Sequence, residues 1–266
     1  MSRRGVWMFP GVAAGVLVDA VVAAEEAGLD EVWIADEGVA REPVPVLSAA
    51  AARTERIRLG VGITSPLLRH PGAIAATMAT LDELSGGRAV LGLGVGGGLS
   101  LDPFGLATDR PVGVVADAIR VAKGVLAAQP VEGRSTYTPP THAMGPRAVP
   151  VWVGARGPQL VALAGREADG IFLSGCSPTE LEQIVPVVRD EGRSTEVALY
   201  HSASDHDDRD SVSTWDAVAS DLATMVQRWQ PSAVGINLVD LAGGSDVDAA
   251  GLVARAAEVL RSVPDA

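Results

Sequence analysis

Asp36-Glu37 closes the stretch EVWIADE, a carboxylate pair placed directly after a short apolar run. Adjacent residues on a strand point to opposite faces, but at a strand end both can turn toward one pocket. One carboxylate can then accept hydrogen bonds from a ligand while the other works as acid or base. A turn acid pairing with Arg41 is the alternative. A second stretch, Gly154-Ala155-Arg156-Gly157-Pro158, follows the apolar run VPVWV and leads into a helical pattern. Free N–H groups at a helix start, two glycines and an arginine suit an anion, and a phosphate ester is the natural guest. The other reading is an ordinary turn that happens to hold an arginine. Ser174-Gly175, after the next strand, can add donors to the same phosphate.

A third stretch, Gly92-Leu93-Gly94-Val95-Gly96-Gly97, matches G-x-G-x-x-G letter for letter. A dinucleotide fingerprint follows the first strand, opens a helix directly and meets an acidic residue about 20 positions on. These glycines follow the fourth strand instead, and Gly98 to Gly105 does not read as a helix start. Asp109 lies in a loop and Asp117 inside a helix, so neither is the required acid. The match is accidental on this reading. Gly94, Val95, Gly96 and Gly97 then form a surface without bulk, against which a flat ligand can lie; a ligand-free flexible loop is the alternative.

The remaining candidates sit at other strand ends. Val61, Gly62 and Thr64 belong to VGITSPLLRHP, a polar strand end beside a glycine. Trp7 and Met8 end the first strand and either floor a pocket or pack in the core. His201 and Asn237 end the last two strands and are placed to face a substrate. His70, just before Pro71, reads as structural. Cys176, the one cysteine, reads as a buried hydrophobe. The four histidines show no metal-ligand spacing, so no metal is expected, and no G-x-S-x-G is present.

All of these residues need strands and helices in strict alternation to bring them together. Strands are expected at 5–9, 31–35, 57–64, 88–93, 149–153, 170–173, 196–201 and 233–238. Helices are expected at 14–27, 43–54, 71–85, 114–128, 158–168, 178–189, 213–230 and 246–261. Gly28 and Gly86-Gly87 mark helix ends, and Pro43, Pro71 and Pro158 mark helix starts. Eight strand–helix units in 266 residues imply an α/β protein, a (β/α)8 TIM barrel with short insertions, forming a single domain over 1–266. The segment 129–149 reads as a loop. The polar run HSASDHDDRDSVST, 201–214, is a solvated loop or a lid.

Charge and composition narrow the partners. A net charge of −12 repels nucleic acid phosphates and anionic lipid. The N-terminus resembles a signal peptide superficially, but Pro10-Gly11 and Asp19 interrupt its apolar run, which a first strand and first helix explain better. No run is long enough for a membrane span. With one cysteine and no internal disulfide, a cytoplasmic location is expected.

EEAGLDEVWIADE, IRLGVGITSPLLRHPGAIAATMATLDELSGGRAVLGLGVG and PVWVGARGPQLVALAGREADGIFLSG together resemble the bacterial-luciferase-like oxidoreductases, and most closely the branch that uses the deazaflavin coenzyme F420. The resemblance covers roughly residues 5 to 175. It implies a barrel with a flavin-type ring across its C-terminal mouth and a cis peptide near Val61-Gly62 behind the ring. It also implies that Gly94 to Gly97 line the ring, that Gly154 to Pro158 hold the phosphate, and that Asp36 contacts the ring or a tail hydroxyl. Two positions depart from the family pattern. Glu37 stands where many relatives carry the histidine that transfers a proton, and Gly97 stands where some carry a glutamate. The implied activity is hydride transfer between F420 and an organic small molecule; the family's proton donor does not carry over, and Glu37 is the candidate for proton transfer read from its own position. The alternatives are an FMN-dependent luciferase-like monooxygenase and a non-catalytic flavin- or deazaflavin-binding protein. A homodimer is a further expectation.

Overall fold

The computed structural model describes residues 1–133, 136–191, 194–204, 212–243 and 247–265. Nine strands occur among them. They are β1 (Arg3–Met8), β2 (Glu31–Ile34), β3 (Arg58–Thr64), β4 (Ala89–Leu93), β5 (Val151–Gly154), β6 (Gly170–Ser174), β7 (Glu196–Ala203), β8 (Val212–Ser213) and β9 (Ala233–Leu238). The order β6-β5-β4-β3-β2-β1-β9-β7, with β7 pairing back onto β6, closes a ring of eight strands. Every pairing in the ring is parallel, so all strand C-termini open on one mouth. This is the expected (β/α)8 barrel. The two-residue β8 hangs outside the ring on the end of β7.

The outer layer comprises α1 (Ala14–Glu26), α2 (Pro43–Ala51), α3 (Pro71–Ser85), α4 (Gly98–Leu101), α5 (Pro111–Leu126), α6 (Pro158–Glu167), α7 (Pro178–Asp190), α8 (Val218–Trp229) and α9 (Ala249–Ser262). Proline opens α2, α3, α5, α6 and α7, where its missing N–H costs nothing. Gly86 ends α3 in the left-handed conformation, at φ 68°.

Two differences from the sequence reading matter. Gly98–Leu101 is a single helical turn, running on into a 3-10 turn over Asp102–Phe104. The expected helix from 213 begins at Val218, because Val212-Ser213 extends beside β7. Much of the run 201–214 lies outside the described residues.

The core has two layers. Between strands and helices pack Leu17, Leu47, Met78, Leu81 and their neighbours. Inside the ring, Trp33, Trp152, Phe172 and Tyr200 form a second cluster. Their centroids lie 4.7–5.5 Å apart along the chain Trp152–Trp33–Phe172–Tyr200, a favourable aromatic spacing. Strand glycines make the room: a Cβ on Gly60 would enter the Trp33 ring, and one on Gly170 the Trp152 ring. Below the rings, buried Glu31 accepts hydrogen bonds from Trp33 Nε1 and the Tyr200 hydroxyl, both at 2.9 Å, and from Arg3 Nε at 2.8 Å. The upper end of the barrel is open.

Candidate active site at the barrel mouth

A cleft of about 490 Å³ opens at the C-terminal ends of the strands. Its lining comes from six successive strand ends. Trp7 contributes from β1, Glu37 from the turn after β2, Gly62 and Ile63 from β3, and Val95 to Gly97 from the turn after β4. Gly154, Ala155 and Arg156 follow β5, and Phe172 and Ser174 end β6. The Trp7 indole N–H donates to the Gly62 carbonyl across the barrel. Phe172 joins the floor of the cleft to the interior aromatic chain.

The glycines divide their work. A Cβ on Gly94 would run into the Ile63 side chain, so this residue serves protein packing. Gly94 does not line the cleft. Gly96 has φ +92°, a left-handed value that favours glycine. A Cβ on Gly97 would meet no protein atom within 4 Å. It would stand in open space at the cleft wall. The expectation of a bare surface thus narrows to Val95, Gly96 and Gly97. The non-proline cis peptide falls at Gly62–Ile63, one residue beyond the expected bond. Val61 is buried at 1% exposure and packs in the outer core, not in the cleft.

Asp36 and Glu37 separate. Glu37 faces the cleft, where burial raises its pKa above the ordinary carboxylate value and the nearby Asp36 charge adds to the rise. The Ser100 hydroxyl donates to Glu37 Oε2 at 2.8 Å and opposes part of that rise. Asp36 turns away from the cleft. It accepts from the Thr64 hydroxyl at 2.5 Å and from Arg69 at 2.9 Å. Thr64 is buried at 1% exposure and holds Asp36. The partner of Asp36 is therefore Arg69, while Arg41 donates to the Gly11 carbonyl.

The turn after β5 presents an uncapped helix. Gly157 precedes α6 with no side chain accepting its first N–H groups. By contrast, Ser177 and Glu180 close a full capping box on α7. Arg156 stands beside the α6 start but is already employed: one nitrogen donates to the Ser174 carbonyl at 2.7 Å and the Gly175 carbonyl at 3.0 Å. It also pairs with Glu180 at 3.6 Å. Arg156 thus ties the two adjacent mouth turns together, a reason for its presence that the sequence reading had not supplied. Pro158 begins the helix and supplies no N–H.

Other candidates lie off the cleft. His201 Nε2 sits 2.7 Å from Ser213 Oγ and 3.9 Å from Asp221, on the α8 side of β7. Burial lowers its pKa, with Asp221 opposing. Asn237 is 1% exposed and donates to Ser202 Oγ at 3.0 Å, with its Oδ1 unpartnered. His70 caps α3 by accepting from Gly72 N–H, Met8 is core, and burial pushes the Cys176 thiol up to about 11. Among the described residues there is no group of acids, histidines or cysteines that could hold a metal. No helix among them is long and apolar enough to cross a membrane.

Sequence reasoning missed Ile63, Leu160, Phe172 and Ser100. Phe172 was legible in principle, two positions before Ser174 on the same face of β6. Ile63 fills the space left by Gly94 and Gly154, a glycine pair visible in the sequence. Ser100 carried no signal once its segment was read as loop.

A closed ring of parallel strands with a cleft at its C-terminal mouth defines the class: a TIM barrel whose mouth cleft is built from its βα turns. A sequence model of the luciferase-like monooxygenases matches residues 2–261, and the chain belongs to that family. Among its relatives is 5,10-methylenetetrahydromethanopterin reductase of Methanopyrus kandleri, 32% identical over 233 residues, covering 77% of this chain and 67% of that one. The same-named enzyme of Methanolobus tindarius is 33% identical over 165 residues, 61% of this chain and 51% of the relative. F420-dependent glucose-6-phosphate dehydrogenase of Nakamurella multipartita is 37% identical over 192 residues, 65% and 57% of the two chains. The matched part thus spans about half to two thirds of these relatives. Two solved structures share the fold. The F420-dependent tetrahydromethanopterin reductase of Methanopyrus kandleri has a TM-score of 0.78 at 22% identity, with 99% of each chain covered. A monooxygenase from Streptomyces bottropensis has a TM-score of 0.80 at 18% identity, with 98% of each chain covered.

Proposed function

We propose that this chain is an oxidoreductase that moves a hydride between coenzyme F420 and an organic small molecule, with the deazaflavin ring in the mouth cleft. The observation that carries this reading is the fit of the cleft. A wall of backbone at Gly62, Gly96, Gly97 and Gly154 leaves room for a flat ring, and an uncapped helix start lies beside it. The relatives named for F420 support the choice of cofactor. When bound, the deazaflavin supplies the site that gives or takes the hydride, at carbon five of its central ring.

The residues of the chain then have distinct tasks. Val95, Gly96 and Gly97, with Gly62, Ile63 and Trp7, line the cleft that would hold the ring. The α6 amides, with Ala155, Arg156, Gly157, Ser174 and Gly175 around them, would hold the phosphate. Pro158 fixes that helix start. Burial raises the Glu37 pKa above the ordinary carboxylate value, which suits this carboxyl to exchange a proton with the substrate as the hydride moves. Ser100 keeps that carboxyl aimed. Asp36 acts one step back, through Thr64 and Arg69. We place the protein in the cytoplasm, acting on a small molecule and apart from nucleic acid, in keeping with its net charge of −12.

The second reading is an FMN-dependent monooxygenase in the same cleft, favoured by the name of the matching family. A fluorescence titration of the cofactor-free protein separates the two. F420 binds at least tenfold more tightly than FMN if the proposal holds, and equal or tighter FMN binding overturns it.

A further inference from the structure

A second cleft, of about 430 Å³, lies on the other side of the turn that carries Glu37. Asp36 and Gly38 line it, while Glu37 between them lines the first cleft. Leu67 and Leu68 form one wall, and Phe104 and Leu106 the other. The partition between the clefts is the turn 36–38 pressed against α4. A Cβ on Gly38 would come within 2.9 Å of the Leu99 carbonyl and 3.0 Å of the Ser100 carbonyl.

Three observations define what this cleft would take. Its apolar wall reaches solvent, for Phe104 is 51% exposed. An exposed aromatic ring beside Leu67, Leu68 and Leu106 suits an apolar ligand. Its one cation is spent, because Arg69 pairs with Asp36 at 2.9 Å and with Glu42 at 2.6 Å. Two carboxylates against one guanidinium leave a net negative lining, which disfavours an anion. Its volume is that of a small-molecule pocket.

We propose that the second cleft binds the body of an uncharged, apolar substrate, whose reacting end reaches past the turn 36–38 to Glu37 in the first cleft. This rests on the oxidoreductase reading for the identity of the ligand as substrate. The binding step itself does not need the cofactor. A phosphorylated or carboxylated substrate would find no free cation among the described residues of this cleft.

The test uses the cofactor-free protein and the 2-alkanones from 2-butanone to 2-decanone, with octanoate as an anion of matched length. Amide NMR shifts of Leu67, Leu68 and Leu106 report occupancy. Each added methylene tightens binding about threefold to fourfold until the cleft is full, and octanoate binds at least tenfold more weakly than 2-octanone. Phe104→Ser abolishes the dependence on chain length. Leu84→Ser, at an exposed leucine on α3, leaves it intact. Binding that ignores chain length, equal binding of octanoate, shifts confined to Val95–Gly97, or loss of the dependence in both variants would each overturn the proposal. If F420 fails to bind while the alkanone series behaves as stated, the oxidoreductase reading falls and the apolar site stands.

Discussion

At Glu37, burial and hydrogen bonding push in opposite directions. Desolvation disfavours the carboxylate and raises the pKa, while the Ser100 hydroxyl, donating at 2.8 Å, favours it. If Glu37 gives a proton to the substrate, kcat/KM is highest below its pKa and falls as pH rises through it. Ser100→Ala removes the bond that favours the ionised form, so the pKa rises further. The falling limb of the kcat/KM profile should then move to higher pH, and a limb that stays in place would separate Ser100 from the proton path. Glu37→Gln should lower kcat by roughly 10²–10⁴-fold while leaving cofactor binding nearly unchanged in the fluorescence titration. Glu37 was legible as a candidate because an acid pair ended an apolar strand. That Asp36 would turn away was not legible, since its partners Thr64 and Arg69 lie 28 and 33 positions further along the chain.

The β4 turn and the α6 start can be tested as elements, because their glycines and arginine do different jobs. Gly94→Ala places a methyl against Ile63 and the Gly154 carbonyl. Overpacking of that kind costs about 1–3 kcal/mol, which a denaturant midpoint should register. Gly97→Ala meets no protein atom within 4 Å, so the midpoint should hold. If a ring lies on this wall, cofactor affinity should fall instead; unchanged affinity would remove Gly97 from the site. At α6, Arg156→Ala should weaken cofactor binding by about 1.5–3 kcal/mol, the worth of a charge-assisted hydrogen bond. Its ties to the Ser174 and Gly175 carbonyls make a thermal melt the necessary companion. A loss of stability with unchanged affinity would make Arg156 a brace between turns. The elements themselves were readable from period and punctuation: prolines at helix starts and glycines at helix ends fell where α3 and its neighbours needed them. The single turn of α4 was not, because four residues with glycine first carry no helical period.

For the whole molecule, the barrel is open at one end and filled below it. The mouth holds a cleft walled in part by glycines, whereas the interior is filled by Trp33, Trp152, Phe172 and Tyr200 and anchored on Glu31. Eight alternating units made the closed ring legible, but nothing local foretold that Glu31 would gather partners from four strands. Arg3 comes from β1, Trp33 from β2, Arg58 from β3 and Tyr200 from β7. Pairing of β2 with β1 and β3 brings in the two arginines, and the curl of the sheet into a ring brings Tyr200 across from β7. The Tyr200 phenol is held neutral there, burial pushing its pKa well above the ordinary value. Glu31→Ala would remove the carboxylate from Arg58, leave Arg3 with Glu196 alone, and leave the tyrosine and tryptophan donors buried without this acceptor. Removing one member of a buried ionic cluster costs about 3–5 kcal/mol. Arg3 and Arg58 keep 25% and 23% of their side-chain exposure, so water compensates part of the loss and the lower end of that range is expected. The measurement is a urea unfolding curve of the variant beside a cofactor titration at low denaturant. A large fall in midpoint with unchanged cofactor affinity is the outcome that a two-ended barrel requires. A matching fall in affinity would mean that the aromatic chain from Tyr200 to Phe172 transmits the loss to the floor of the cleft.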